Sequence, residues 1–292
     1  MLNGRYTILR SLHVSAMSLV YLARDTKKEC LVVVKTPRAI GTFHEPVWEA
    51  PSIPYIPGNE RNKALNGYIE REAFILSSLS HPRVVCMIDA GTDGWGNHYI
   101  VLEYLEGMPL HLLRQYKINR LKPAFVIELG CQLLEGLEAI HEAGLVHRDI
   151  KPANLIITDD GLKIIDFGLS FTSLADDPRA IDGRMIGTPL YMSPEQSYCL
   201  RRLDGRADLY AVGHVLYRLL AETWAYGAEK IGVRNVIDCH RQAQPIPFDI
   251  AAPGMRIPKD LERVIFRALK RRADDRFQSA GEMREALIAA QA

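Results

Sequence analysis

The chain has 292 residues, 48% hydrophobic and 24% charged, the balance of a soluble globular protein with two domains or one large two-lobed one. Thirty-six Lys and Arg face thirty-five Asp and Glu, a net charge of +1, which speaks against a nucleic-acid binder with basic excess gathered on one face. No run approaches the roughly 20 apolar residues of a membrane helix, and Arg5 and Arg10 interrupt any apolar leader, so a cytoplasmic chain without a membrane segment is expected.

The first hundred residues predict strands over 6–12, 19–23, 31–35, 84–89 and 98–104, with Asp93-Gly94-Trp95-Gly96-Asn97 as the turn before the last. One helix interrupts them. Ile69, Ala73, Leu76 and Leu79 recur at spacings of three and four, and Pro82 stops the pattern. Residues 36–68 read as a Pro-rich insertion: Pro37, Pro46, Pro51, Pro54 and Pro57 favour irregular or extended backbone, and Phe43, Trp48 and Tyr55 dock it or meet a partner.

Beyond residue 107 the period changes. Val126, Leu129, Leu133, Leu137 and Ile140 mark a long amphipathic helix ended by Gly144. Residues 155–158 and 162–165 flank Asp159-Asp160-Gly161 as a short hairpin. Leu209, Val212, Leu216 and Leu219 predict a buried helix, and 261–269 and 280–290 two more. The expected organisation is therefore α+β: a small β-rich part over 1–103 carrying one main helix, then a larger helical part over 104–292. Cys30, Cys86, Cys131, Cys199 and Cys239 form no C-x-x-C pair and read as reduced, mostly buried thiols.

The chemistry concentrates around the hairpin. His147-Arg148-Asp149-Ile150-Lys151-Pro152-Ala153-Asn154 leads into it and Asp166-Phe167-Gly168 follows it, so Asn154 and Asp166 converge with Asp149 just upstream. Two oxygen ligands beside substrate phosphates suit Mg²⁺, and a third carboxylate can orient a hydroxyl and accept its proton.

These linked motifs resemble those of the eukaryotic-like (Hanks-type) protein kinases, in particular the bacterial Ser/Thr kinases, over residues 4–287. The resemblance implies a bilobal fold, with a small antiparallel β-lobe bearing one main helix and a larger, mainly helical lobe. It implies one kinase domain over 1–292, ATP and Mg²⁺ as cofactors with Mn²⁺ as a substitute, and protein substrates. Asp149 matches the catalytic base, Lys151 the lysine that meets the γ-phosphate, and Asn154 and Asp166 the metal ligands. Lys35, closing Val32-Val33-Val34-Lys35, matches the lysine of the α- and β-phosphates, and Glu72 its carboxylate partner, with Glu70 on another face. Leu102 matches the gatekeeper. Backbone groups of Glu103 and Leu105 are the implied adenine contacts, with Leu12, Val20, Val33 and Leu155 lining the nucleotide. Thr188, in Gly187-Thr188-Pro189, matches the substrate-positioning threonine of Ser/Thr kinases. Glu195 with Arg276 matches a buried ion pair, and Asp208 an aspartate that braces the catalytic loop.

Two departures stand out. The pattern G-x-G-x-x-G falls on His13-Val14-Ser15-Ala16-Met17-Ser18, without a glycine. Small residues keep a slim hairpin and serine hydroxyls can donate to phosphate, so weaker nucleotide use is expected. The alternative reading is a pseudokinase that binds nucleotide or a partner as a scaffold. A small-molecule kinase is a third, opposed by the 187–195 segment and Arg276. The activation segment offers Thr172 and Ser173 as phosphosites to pair with Arg148, and Asp176, Asp177 and Asp182 as permanent charge in their place. A regulatory partner gripping 36–68 could make or break the Lys35–Glu72 pair.

Overall fold

The computed structural model describes residues 2–15, 17–38, 58–113, 121–173, 187–200, 202–227 and 232–291. The chain divides into two compact units, Met1–Ser80 with Val85–Leu105, and His81–Val84 with Glu106–Ala292.

In the first unit, β1 (Tyr6–Val14), β2 (Ser18–Asp25), β3 (Cys30–Pro37), β4 (Met87–Thr92) and β5 (His98–Glu103) form an antiparallel sheet in the order β1-β2-β3-β5-β4. Side chains alternate across a sheet. Tyr6, Ala23, Val32, Val34, Tyr99 and Val101 bury one face, and the register sends Val20, Val33, Lys35, Ile100 and Leu102 to the other. The helix α1 (Gly58–Ser77) packs against β3, β4 and β5. Its buried stripe is Leu65, Ile69, Glu72 and Leu76, so a carboxylate occupies an apolar position of the helix. Asn66 ties α1 to the β4–β5 turn, donating to Gly96 O at 3.1 Å and accepting from His98 N at 3.0 Å.

Two boundaries differ from the sequence reading. The strand expected at 84–89 is shifted to Met87–Thr92, because Val84 is engaged elsewhere: it bridges Ile164 in parallel and belongs to the second unit. The expected insertion ends early, because beyond Pro57 no proline opposes the helix and α1 begins at Gly58. The remaining residues 39–57, with Phe43, Trp48 and Tyr55, lie outside the described residues.

The second unit opens with β6 (Gly107–Pro109) and α2 (Pro123–Glu142), followed by β7 (Leu145–Val146), β8 (Leu155–Thr158), β9 (Gly161–Ile164) and β10 (Phe171–Thr172). Strands β6, β8 and β9 form one small sheet and β7 with β10 another. Then come α3 (Pro194–Ser197), α4 (Arg206–Ala221), α5 (Val233–Gln242), α6 (Phe248–Ala251), α7 (Lys259–Ala268) and α8 (Ala280–Ala289). Leu133, Leu137 and Ile140 of α2 pack with Leu209, Val212 and Leu216 of α4 and Leu287 of α8 in a core closed to water. Each such side chain contributes about 1.5–3 kcal/mol of apolar burial. The five cysteines correct the expectation of mostly buried thiols: Cys30 and Cys86 are exposed, and Cys131, Cys199 and Cys239 half-buried. No helix among the described residues is long and apolar enough to cross a membrane.

Candidate active site

Within the first unit, the Lys35 ammonium meets both oxygens of Glu72, at 2.8 Å from Oε1 and 2.7 Å from Oε2. The pair is explained by burial. Glu72 is 1% exposed on the packed stripe of α1, where an uncompensated carboxylate costs several kcal/mol, and β3 places Lys35 opposite it. Glu70 points elsewhere and faces His98 Nε2 at 3.1 Å. Lys35 shares its sheet face with Val20, Val33 and Leu102, so an ammonium stands at the end of an apolar floor. Leu12, on β1, is 38% exposed, and Leu105 is half-buried just past β5. Glu103 folds back on its own unit: its N–H donates to Cys86 O at 3.0 Å and its Oε1 accepts from Cys86 N at 2.8 Å.

The β1–β2 tip holds its shape without glycine. Ser15 Oγ accepts from Ser18 N at 2.9 Å and from Met17 N at 3.2 Å, and Ser15 N donates to Ser18 O at 2.9 Å. Arg38, just past β3, anchors the turn by donating from Nη1 to Ser15 O at 3.0 Å and from its N–H to Met17 O at 2.9 Å. The Ser15 hydroxyl expected to reach outward is instead the hub of the turn. A short side-chain acceptor here does for the backbone what glycine flexibility does elsewhere. Ala16 lies outside the described residues.

In the second unit, Asp149, Lys151 and Thr188 form a closed triangle. Lys151 Nζ donates to Asp149 Oδ2 at 2.6 Å and to Thr188 Oγ1 at 2.8 Å, and Thr188 Oγ1 donates to Asp149 Oδ1 at 2.7 Å. Gly187 makes this possible: at φ 125° it brings the chain against Arg148 O, where a Cβ would stand 3.0 Å away. Asn154 Nδ2 donates to Asp149 O at 2.9 Å and to Asp149 Oδ2 at 3.1 Å. Asn154 thus keeps its amide oxygen available as an acceptor. Asp166 adds a carboxylate at φ 65°, with Gly168 N donating to its Oδ1 at 3.4 Å. A carboxylate and an amide oxygen are the hard donors that Mg²⁺ takes, so the residues fit the cation. Leu155, at the start of β8, is fully buried.

The backbone of this loop is strained and braced. Arg148 sits at φ 67°, a conformation unusual outside glycine and kept only where neighbours enforce it. Asp208 enforces it, accepting from His147 N and Arg148 N at 2.8 Å each, while Gln196 Nε2 donates to Arg148 O at 2.9 Å. Burial pushes the Asp208 carboxyl up, but the hydrogen bonds from His141 and the loop outweigh it and hold it below its usual range. His147 Nε2 donates to Ile165 O at 3.3 Å, so Nδ1 accepts from Asp149 N at 3.3 Å. Glu195 and Arg276 form a bidentate pair at 2.6 and 2.8 Å, and Arg276 is wholly buried. Ser193, where the family has alanine, caps α3: it accepts from Gln196 N while Gln196 Oε1 accepts from Ser193 N. Thr172 lies in β10, and the hydroxyls of Thr172 and Ser173 donate to Gly144 O at 3.3 and 3.2 Å. Arg148 stacks over Phe171 at 5.0 Å. Asp176, Asp177 and Asp182 lie outside the described residues.

A family profile described as protein kinase domain matches residues 54–287. The chain belongs to the protein kinase family. A probable serine/threonine-protein kinase of Streptomyces coelicolor is 33% identical over 289 residues, covering 97% of this chain and 39% of the relative. Serine/threonine-protein kinase pkn2 of Myxococcus xanthus is 32% identical, covering 99% of this chain and 33% of the relative. PknB of Mycolicibacterium smegmatis is 31% identical, covering 98% and 43%. The chain therefore spans a third to some two-fifths of the length of these relatives. The crystal structure of a point mutant of the Mycobacterium tuberculosis PknI kinase domain has the same fold, with a TM-score of 0.68 at 24% identity over 100% of this chain and 97% of that one.

The chain is thus a Hanks-type Ser/Thr kinase domain of the bacterial group, and membership implies ATP-dependent phosphoryl transfer to protein substrates with a divalent metal. Against that family, sequence reasoning missed three features of this kinase domain. One is Gln196, for which the Ser193-Pro194-Glu195-Gln196 capping pattern was the signal. The second is the Ser15 hub. The third is a cavity of about 530 Å³ beside Lys151 and Thr188, lined also by Pro152, Tyr191, Arg218 and Glu222, for which no local pattern exists.

Proposed function

We propose that this kinase domain transfers the γ-phosphoryl of ATP to Ser and Thr hydroxyls of protein substrates, itself included. The observation that carries this reading is the closed Asp149–Lys151–Thr188 triangle. Asp149 Oδ2 already accepts from Lys151 and Asn154, whereas Oδ1 accepts only from Thr188 and keeps a lone pair, so the carboxylate can accept and orient an acceptor hydroxyl there and take its proton. Lys151 donates to that carboxylate and adds positive charge beside the transferred group. Lys35, fixed by Glu72, binds α- and β-phosphates, with Leu12, Val20, Val33, Leu102 and the backbone of Glu103 and Leu105 toward the base. Asn154 and Asp166 hold Mg²⁺, or Mn²⁺ in its place; the metal, when bound, neutralises charge on the phosphates. Thr188 ties the acceptor-side loop to Asp149, which suits a short Ser or Thr side chain, and the cavity beside it seats the acceptor segment. The five scattered thiols, with no disulfide among the described residues, suit a reducing cytoplasm.

The direct test is phosphate incorporation from labelled Mg-ATP into the protein and a generic basic substrate, with Asp166→Ala as blank. Incorporation on Ser or Thr above the blank is expected; incorporation no greater than the blank would overturn the reading.

Loop phosphorylation is not required in this scheme. Thr172 and Ser173 already bond Gly144 O, and a phosphate on either has to displace that contact. The double variant Thr172→Ala, Ser173→Ala is expected to keep activity within about twofold, since the hydrogen bonds removed are long, at 3.3 and 3.2 Å, and only half-buried; loss of activity would contradict this. A partner at 39–57 could act through α1 on the Lys35–Glu72 pair. Deleting 41–56 without effect on activity or binding would argue against such a partner.

A further inference from the structure

A cluster of rings lies against the loop that carries Thr188, in a part of the second unit that the transferring residues do not use. Tyr210 and His214 come from α4, Trp224 and Tyr226 from the turn after it, and His240 from α5. The two imidazoles stand 5.2 Å apart, and Tyr210 packs edge-on to both, at 4.9 Å from His214 and 5.7 Å from His240. His214 and His240 are 1% and 0% exposed.

Two hydrogen bonds leave the cluster for the loop. His240 Nε2 lies 2.7 Å from Pro189 O, and Trp224 Nε1 donates to Leu190 O at 2.9 Å. A carbonyl only accepts, so His240 Nε2 carries a proton. Burial pushes the His240 pKa down to about 4, so the ring is neutral at neutral pH and Nδ1 is an acceptor. Nδ1 therefore accepts from the Tyr210 hydroxyl at 2.8 Å, and the Tyr210 oxygen in turn accepts from the Tyr226 hydroxyl at 2.8 Å. One tautomer thus orders three hydrogen bonds in series, from Tyr226 to the Pro189 carbonyl. His214 lies against the same rings with neither nitrogen hydrogen-bonded among the described residues, so it does not compete for this path. The series ends on the residue next to Thr188, whose hydroxyl is 2.7 Å from Asp149 Oδ1. The segment also closes a turn of its own, with Tyr191 N and Met192 N donating to Thr188 O at 2.9 and 3.1 Å and Met192 N to Pro189 O at 3.4 Å, and the cluster adds its two side-chain hydrogen bonds to the Pro189 and Leu190 carbonyls of that turn.

We propose that His240 is a positioning residue for the acceptor: by donating to the Pro189 carbonyl it sets the peptide planes after Thr188, and with them the seat of the acceptor hydroxyl against Asp149. This rests on the acceptor-side role of Thr188 given above. It requires only the Nε2 donor, which distinguishes it from a packing role for the ring.

Three variants separate these roles. In His240→Gln the side-chain amide can place a donor where Nε2 stands, His240→Asn reaches only the Nδ1 position, and His240→Ala removes both. The KM for an acceptor peptide is expected to rise on the order of fivefold in the Ala and Asn variants and to stay near wild type in Gln, with the KM for ATP unchanged in all three. Hydrogen exchange at the Tyr191 and Met192 amides, read without any turnover, is expected to accelerate in Ala and Asn alone. If the Ala variant does not fold, the contrast of Gln with Asn decides. Equal effects in Gln and Asn, or parallel changes in both KM values, or unchanged peptide KM and exchange, each overturn the proposal. A wild-type protein that transfers no phosphate sinks the proposed activity instead, while the exchange pattern still judges His240.

Discussion

The β1–β2 tip and the loop around Asp149 are both short turns built on side-chain hydrogen bonds, yet they relate to the family in opposite ways. Around Asp149 each polar group is fixed by another across the loop: Lys151 and Thr188 on the carboxylate, Asn154 on its backbone oxygen and its Oδ2, Asp208 on the strained Arg148. Changing one member strands the rest, and all are present. At the tip, Ser15 closes the turn on itself, with two N–H groups directed at its own hydroxyl. A turn that needs only to be small and closed can be made by serine as well as by glycine. The difference teaches that the loop around Asp149 keeps every residue the family motif implies, bonded to one another, whereas the tip replaces the glycines with a serine-closed turn.

The contrast breaks first at Asp149. Asp149→Asn keeps the shape and removes the base; kcat is expected to fall by about 10²–10⁴ with the KM for ATP little changed, measured in steady state. A variant within tenfold of wild type would mean that positioning alone runs the reaction.

The rigidity behind the acceptor loop is read through pH. The folded protein keeps His240 neutral down to about pH 4, whereas the unfolded chain protonates it near 6.5. Between those values the unfolded state binds the extra proton, so stability is complete above 6.5 and is lost as pH falls towards 4, by about 3 kcal/mol for this group. His214, also held below its ordinary value by burial, acts in the same direction. Denaturant unfolding at pH 7 and pH 5 is expected to show a smaller loss in His240→Gln than in wild type. An equal loss would remove His240 from the balance.

The smallest effect sharpens the other side. Ser15→Gly releases the Met17 and Ser18 N–H groups from the hydroxyl. The KM for ATP is expected to fall on the order of fivefold, one to two hydrogen bonds to phosphate, with kcat nearly constant. A rise would show that the serine hub itself shapes the nucleotide site.

Much of this was legible in the sequence, for reasons that differ by residue. Asp149, Lys151 and Asn154 lie within six positions, so a local motif carries their geometry. Glu72 was legible through its match to the family's helix carboxylate, with Glu70 on another face, and the structure adds that Glu72 lies on the packed stripe of α1. The start of α1 at Gly58 and the shift of β4 to Met87 were not legible, since one depends on where proline stops opposing the helix and the other on Val84 pairing with Ile164. The Ser15 hub depends on turn geometry that composition does not encode. His240 was invisible for a different reason: its partner Pro189 is 51 residues away, and a lone histidine on an amphipathic helix carries no sign of what its second nitrogen meets.

The measurement that bears most directly on the central claim is kcat and the KM for ATP, determined together on the wild-type domain with Asp166→Ala as reference. An intact transfer loop with a changed grip is expected to give kcat within about 1–100 s⁻¹ and a KM for ATP toward the upper part of the range of about 1 μM–1 mM. Tight ATP binding with a kcat no greater than that of Asp166→Ala would contradict the account, because it would place the defect in the loop around Asp149 and leave the serine-closed hairpin blameless.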